Sequence, residues 1–302
     1  MILKRLLRLA KLPLAGLALF TAMLAPAATA GQPPAQAGAA KTIGVLVLAH
    51  GGTPRWNAVV EQAVADAALP YPTRVAFGMG MHGGEVEALQ QAVTELEHLG
   101  VEKVVAVPLL VSSASEVMRQ YAYLLGLRPD GPWQEQAEPV KRQVPIRLTS
   151  PLDGDPAVAQ VLLDRAREVS VAPGHEVVVV IAHGPNTEED NARWLDAMGR
   201  LTQTIKAEGG FKDVLSVTMR DDAEPAVLAK AVADMRQTIE AQAKENTVIV
   251  LPLLIANGGI EGKIPERLSG LTFIYQPKAL LPHPKLSEWI ASRVQDAVKN
   301  PG

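Results

Sequence analysis

Two histidines stand at the ends of two strongly apolar runs. Ile43-Gly44-Val45-Leu46-Val47-Leu48-Ala49 stops on His50-Gly51-Gly52, and Val177-Val178-Val179-Val180-Ile181-Ala182 stops on His183-Gly184. A neutral imidazole ligates divalent metals and accepts protons near neutral pH. Delivered by a buried strand into a glycine turn, it is a way to build a site. Other groups of related chemistry follow other apolar runs. His82 lies in Met79-Gly80-Met81-His82-Gly83-Gly84, and Ser112, Ser113, Ser115 and Glu116 follow 104–111. Asn186, Asp221, Asp222, Asn257 and Glu261 take comparable places later in the chain. Gathered at one rim, these imidazoles and carboxylates would suit a divalent metal and proton removal.

Bland readings compete with this one. A single His-Gly after a strand is more often a turn with a hydrogen-bonded ring, and it is the duplication that lifts His50 and His183 above that. The glycines around His82 suit either a ligand's close approach or a simple turn. Asp221 and Asp222 read as charges at a helix start. His98 and His175 read as surface residues, and His283, before Pro284, as the start of the last helix.

Strands and helices must position these groups, and they alternate from Thr42 onward. Strands are expected at 43–49, 74–78, 104–111, 145–148, 177–182, 214–219, 247–255 and 272–275. Helices are expected at 54–68, 86–99, 115–125, 156–169, 188–207, 225–243, 262–268 and 284–298. Thr53 is a fitting N-cap with Pro54 in the first turn, and Val86, Leu89, Val93 and Leu96 recur at helical spacing. Residues 126–143 read as a long polar loop. Strands this apolar are buried on both faces, which suits parallel sheets covered by helices. In such sheets ligands bind beyond the carboxyl ends of the strands, where the histidines fall.

The order repeats. His50-Gly51 matches His183-Gly184, Asn57 matches Asn191, and Val107-Pro108-Leu109-Leu110-Val111 matches Leu251-Pro252-Leu253-Leu254-Ile255. More loosely, Pro151-Leu152-Asp153-Gly154-Asp155-Pro156 matches Leu280-Leu281-Pro282-His283-Pro284. The fold class is therefore α/β, as two tandem similar domains, 42–172 and 173–302. Each is a mainly parallel sheet with helices on both faces, and the two face each other across a cleft.

Composition narrows the chemistry. The 302 residues are 48% hydrophobic and 20% charged, enough for a sizeable core. The chain has no cysteine, so disulfides and thiolate metal sites are excluded. Its net charge is −3, which argues against nucleic acid as a partner. No Walker A motif occurs, and no Gly-x-Gly-x-x-Gly follows a strand to open a helix, so nucleotide use has no support. Residues 1–30 read as a secretory signal, with Lys4, Arg5, Arg8 and Lys11 before an apolar stretch at 12–24. Ala28-Thr29-Ala30 fits a cleavage site. The expectation is an exported, periplasmic protein cleaved after Ala30, with no membrane span in the mature chain. A linker follows at 31–41. An uncleaved N-terminal anchor is the alternative.

A strand ending in His-Gly, followed by a helix with an early Pro and Asn, resembles the opening motif of the sirohydrochlorin chelatases. Val107-Pro108-Leu109-Leu110-Val111 with its small residues is similar to that family's second motif, and Leu280-Leu281-Pro282-His283-Pro284 to its third. The likeness covers about 42–298 and implies a chelatase-like fold, a class II tetrapyrrole chelatase related in fold to ferrochelatase. It implies ATP-independent insertion of Co²⁺, or of Fe²⁺ or Ni²⁺, into sirohydrochlorin. The tetrapyrrole and the divalent metal are then both substrates, with Co²⁺ favoured. The family's first histidine falls on His50 and again on His183. Its second falls on Glu116 and, in the later half, on Ile260, with Glu261 adjacent. The family's serine after His-Gly is Gly52 here. The resemblance makes His50 and Glu116 the catalytic pair, and His50, Glu116, His82 and His183 the candidate metal ligands. Two fused halves could form one cleft as a monomer.

An export signal is unusual for an enzyme whose substrate is made in the cytoplasm. A non-catalytic periplasmic binder of metal or tetrapyrrole is therefore the competing reading. An esterase, suggested by strand-His-Gly-Gly, would need a Gly-x-Ser-x-Gly elbow, and the chain has none.

Overall fold

The computed structural model describes residues 42–78, 83–129 and 131–300. The expected signal and linker, 1–41, and His82 lie outside the described residues.

The first half runs β1 (Ile43–Ala49), α1 (Pro54–Asp66), β2 (Thr73–Phe77), α2 (Gly83–His98), β3 (Lys103–Leu109), α3 (Glu116–Leu124), β4 (Ile146–Leu148), α4 (Pro156–Arg167). The second runs β5 (Glu176–Ala182), α5 (Glu188–Gly209), β6 (Asp213–Thr218), α6 (Pro225–Ala243), β7 (Thr247–Leu253), α7 (Ile260–Arg267), β8 (Ile274–Tyr275), α8 (Pro284–Lys299). A short 3₁₀ turn at Pro173–His175 joins them.

Each half holds a four-stranded parallel sheet, in the orders β2-β1-β3-β4 and β6-β5-β7-β8. The inner strands β1 and β5 are buried at every residue. Their alternate side chains feed opposite cores. Val45, Val47 and Ala49 face one cluster, and Leu46 and Leu48 another. Val178, Val180 and Ala182 join the first of these, while Val177, Val179 and Ile181 enter a third. Two outer cores thus serve one half each, and one central core serves both.

The central core joins the two halves. The final helix of each half crosses to the other's sheet, so that α4 packs on β7 and α8 on β3. Both are buried along one face, through Val158, Val161 and Leu162 of α4 and Leu286, Trp289, Ile290 and Val294 of α8. Fully burying one such side chain stabilises by about 1.5–3 kcal/mol. Each sheet's inner face is covered by a helix of its own half, α1 or α5, and by the last helix of the other, and residues 42–300 lie within one compact unit.

The expected polar loop after α3 is also a core element. Trp133 and Val140 are buried in the first half's outer core, and Trp133 packs beside Tyr123, ring centroids 6.1 Å apart. A polar composition concealed two anchoring side chains.

Candidate active site

Parallel pairing sets the rim. Ala49 lies opposite Leu109, and Ala182 opposite Leu253. His50 and His183 therefore leave their sheets at equivalent levels, each beside the strand that leads to the next helix. In a 2-1-3-4 sheet the strand order reverses between these two parallel strands, and it is outside their carboxyl ends that ligands bind in such sheets.

The two turns share one geometry. Gly51 and Gly184 have φ of +78° and +79°, a left-handed backbone that favours glycine. A Cβ on Gly184 would also lie 2.7 Å from the Thr218 side chain. The His-Gly pairs are thus explained first by the turn. In each turn the histidine Nδ1 sits on the following glycine's carbonyl, at 2.9 Å for His50 and 3.0 Å for His183. A carbonyl only accepts, so Nδ1 carries the proton and, in the neutral ring, Nε2 keeps the lone pair. His50 is exposed, just beyond the carboxyl end of β1. His183 is half-buried, with Nε2 3.4 Å from Asp222 Oδ2.

Around His50 the loop is held on two sides. Asn57 Oδ1 accepts from Gly52 N at 2.9 Å. The buried Tyr121 hydroxyl lies 3.1 Å from the carbonyl of Ala49 and 2.5 Å from that of Gly78, joining the carboxyl ends of β1 and β2. Burial pushes its phenol well above the usual tyrosine range, so it stays a donor. Asn191, the repeat partner of Asn57, instead accepts from Thr218 at 2.6 Å, so the residue is kept while its bond changes.

Glu116 opens α3, whose N-cap Ser115 accepts from Met118 N at 3.2 Å. It is exposed, and its Oε1 accepts from the Trp133 indole at 3.3 Å. Its counterpart Ile260 has no polar atom, and Glu261 does not replace it. Glu261 Oε2 is taken by the backbone N–H groups of Gly258 and Gly259, at 3.0 and 2.8 Å. Burial alone would raise its pKa, but these bonds hold it below the usual carboxylate range.

Among the described residues, no three His, Asp or Glu side chains form a group that could hold a metal ion. His50, Glu116 and His183 therefore do not gather into one cage. The rest of the second half's rim is braced by ion pairs. Asp221 is not a helix-start charge, as expected, but a buried carboxylate bound by Lys263 at 2.5 Å and by Arg267. Burial would raise its pKa, and the two cations hold it low. Buried Arg220, missed by sequence reading, donates to the carbonyls of Pro185 and Asn186 and pairs with Glu188, holding the loop after His183. Its only sequence signal is its place just beyond a strand. His283 is the N-cap of α8, and His98 and His175 are exposed. A groove of about 840 Å³ between α1 and α8 contains none of His50, Glu116 or His183 in its lining.

Paired parallel sheets with helices between and outside them define a chelatase-type fold. SirB from Bacillus subtilis, solved with Fe³⁺, superposes with TM-score 0.59 at 16% identity, over 86% of this chain and 97% of SirB. CbiX, described as the terminal enzyme of siroheme biosynthesis in denitrifying bacteria, gives 0.56 at 18%, over 84% and 99%. The chain belongs to the CbiX family, whose model matches twice, at 44–169 and 177–297.

Curated relatives are half as long. The sirohydrochlorin cobaltochelatase of Saccharolobus solfataricus is 29% identical over 127 residues, 42% of this chain and 94% of the relative. That of Methanococcoides burtonii is 25% identical over 128 residues, 42% and 96%.

Proposed function

We propose that the protein inserts a divalent metal ion into sirohydrochlorin or a closely related tetrapyrrole, without ATP, with Co²⁺ favoured and Fe²⁺ or Ni²⁺ as further substrates. The observation that carries this is the Nδ1–H bond of His50 to Gly51 in a chain matched over both halves by the CbiX family. It leaves an exposed lone pair at the sheet's ligand-binding crevice.

Insertion exchanges two pyrrole N–H protons for one M²⁺, so the site must hold a metal and accept protons. His50 Nε2 takes the metal. Glu116, one oxygen held by Trp133, is the second ligand or the proton acceptor. His82 is a further candidate ligand from the same half. His183, already facing Asp222, belongs to the opposite wall. The fused halves let one chain supply both walls as a monomer. Independently, the basic and apolar N-terminal segment leads us to propose that the chain is exported and cleaved behind Ala30, which N-terminal sequencing of exported protein checks.

The test is to mix purified protein with sirohydrochlorin and Co²⁺ and follow the absorption spectrum. Catalytic turnover is expected. A second reading, a non-catalytic carrier, is favoured by Ile260 and by the engagement of Glu261 in its own turn. It predicts a spectral change that saturates at one equivalent of protein.

A further inference from the structure

We propose that Arg119 and Asp190 form a positioning pair, which fixes the helix carrying Glu116 against the segment that follows His183. The proposal rests on the chelatase reading above.

Arg119 lies three residues after Glu116 on α3, on the same helix face. Its guanidinium donates to both oxygens of Asp190, at 3.1 and 2.9 Å. Asp190 is the third residue of α5, seven beyond His183, and its backbone N–H is held by the N-cap Thr187. The aspartate side chain is 9% exposed and the arginine side chain 35%. A bidentate Arg–carboxylate bond fixes orientation as well as distance. A second tether lies beside it. Trp194, one turn further along α5, donates to the carbonyl of Ala114, next to the α3 N-cap.

The repeat supplies an internal control. Glu116 corresponds to Ile260, so Arg119 corresponds to Lys263. Lys263 pairs with Asp221 inside its own half. The ion pair that crosses between halves at this repeat position thus occurs on the side with the rim carboxylate, and its counterpart is redirected on the side without one. Misplacing a reacting group by about 1 Å can lower a rate by about 100-fold, so a partial loosening should lower kcat.

The experiment compares Arg119→Ala, Asp190→Ala, the double variant and the charge reversal Arg119→Asp/Asp190→Arg in the full-length protein. Each single variant should lower kcat about 10-fold with KM for Co²⁺ unchanged. The double should be no worse than the worse single, as for a coupled pair, and the reversal should recover part of the loss. Full kcat in Arg119→Ala, or losses that multiply, overturns the proposal. So does a raised KM for the macrocycle in Arg119→Ala alone, which would make Arg119 a contact to substrate carboxylates. If the wild-type protein shows no turnover, the chelatase reading falls on its own. Hydrogen exchange then judges the pair: faster exchange in the first turns of α3 in Asp190→Ala supports it, and unchanged exchange overturns it.

Discussion

Trp194 donates its indole N–H to the main-chain carbonyl of Ala114 in the opposite half, at 2.7 Å. Trp56 returns the arrangement, donating to Ala256 at 3.2 Å. Both indoles are buried, and both acceptors lie in the loops that follow β3 and β7. The rim loops of each half are thereby held by the other.

Replacing Trp194 with Phe keeps most of the apolar volume and removes the donor. The buried carbonyl left behind should destabilise the fold by about 1–3 kcal/mol, read from urea unfolding.

His50→Ala should abolish metal insertion, with a rate loss of at least about 100-fold. Its side chain is exposed, so the unfolding free energy should change by no more than about 0.5 kcal/mol. His183→Ala should have the smaller effect on rate. Equal rates for His50→Ala and wild type would remove the assignment.

Ile290 of α8 is fully buried in the core shared by the two sheets. Ile290→Ala should cost about 2–5 kcal/mol. Both halves should melt together, in one calorimetric transition at lower temperature. Separate transitions would show that the halves fold independently.

Acid should destabilise the protein from near neutrality. Burial, with Arg165 nearby, holds His283 below its ordinary value near 6.5, despite the opposing pull of Asp164. The folded state therefore binds fewer protons than the unfolded one, and this contribution is complete above pH 6.5 and lost as pH falls through the lowered value. Asp221 and Glu261 are also lowered and add losses below the ordinary carboxylate range. His283→Asn should keep the N-cap and flatten the stability profile between pH 7 and 5, as measured by thermal unfolding in that range.

Much was legible in the sequence because it was local. The apolar runs gave β1 at its observed limits, since a strand buried on both faces leaves no polar position to blur it. Pro225 and the apolar spacing behind it gave α6 at its observed limits. The repeated His-Gly turns were legible because a left-handed glycine and a strand-end histidine recur at fixed spacing. Arg220 and Asp221 were not. One is a buried arginine with φ +55° and the other a buried carboxylate, and their partners come from the loop before α5 with its first residue, Glu188, and from α7.

By itself the sequence determined the alternation of strands and helices, the two-fold repeat and the family to which the chain belongs. These depend on side-chain periodicity and on residues near one another in the chain. Tertiary structure decided that α4 and α8 change places across one common core, and that Glu261 closes its own turn while Glu116 instead accepts from the distant Trp133 indole. It also decided that Arg119 reaches Asp190, 71 residues away. Contacts over such separations depend on which surfaces two packed sheets bring together, and no local pattern encodes that.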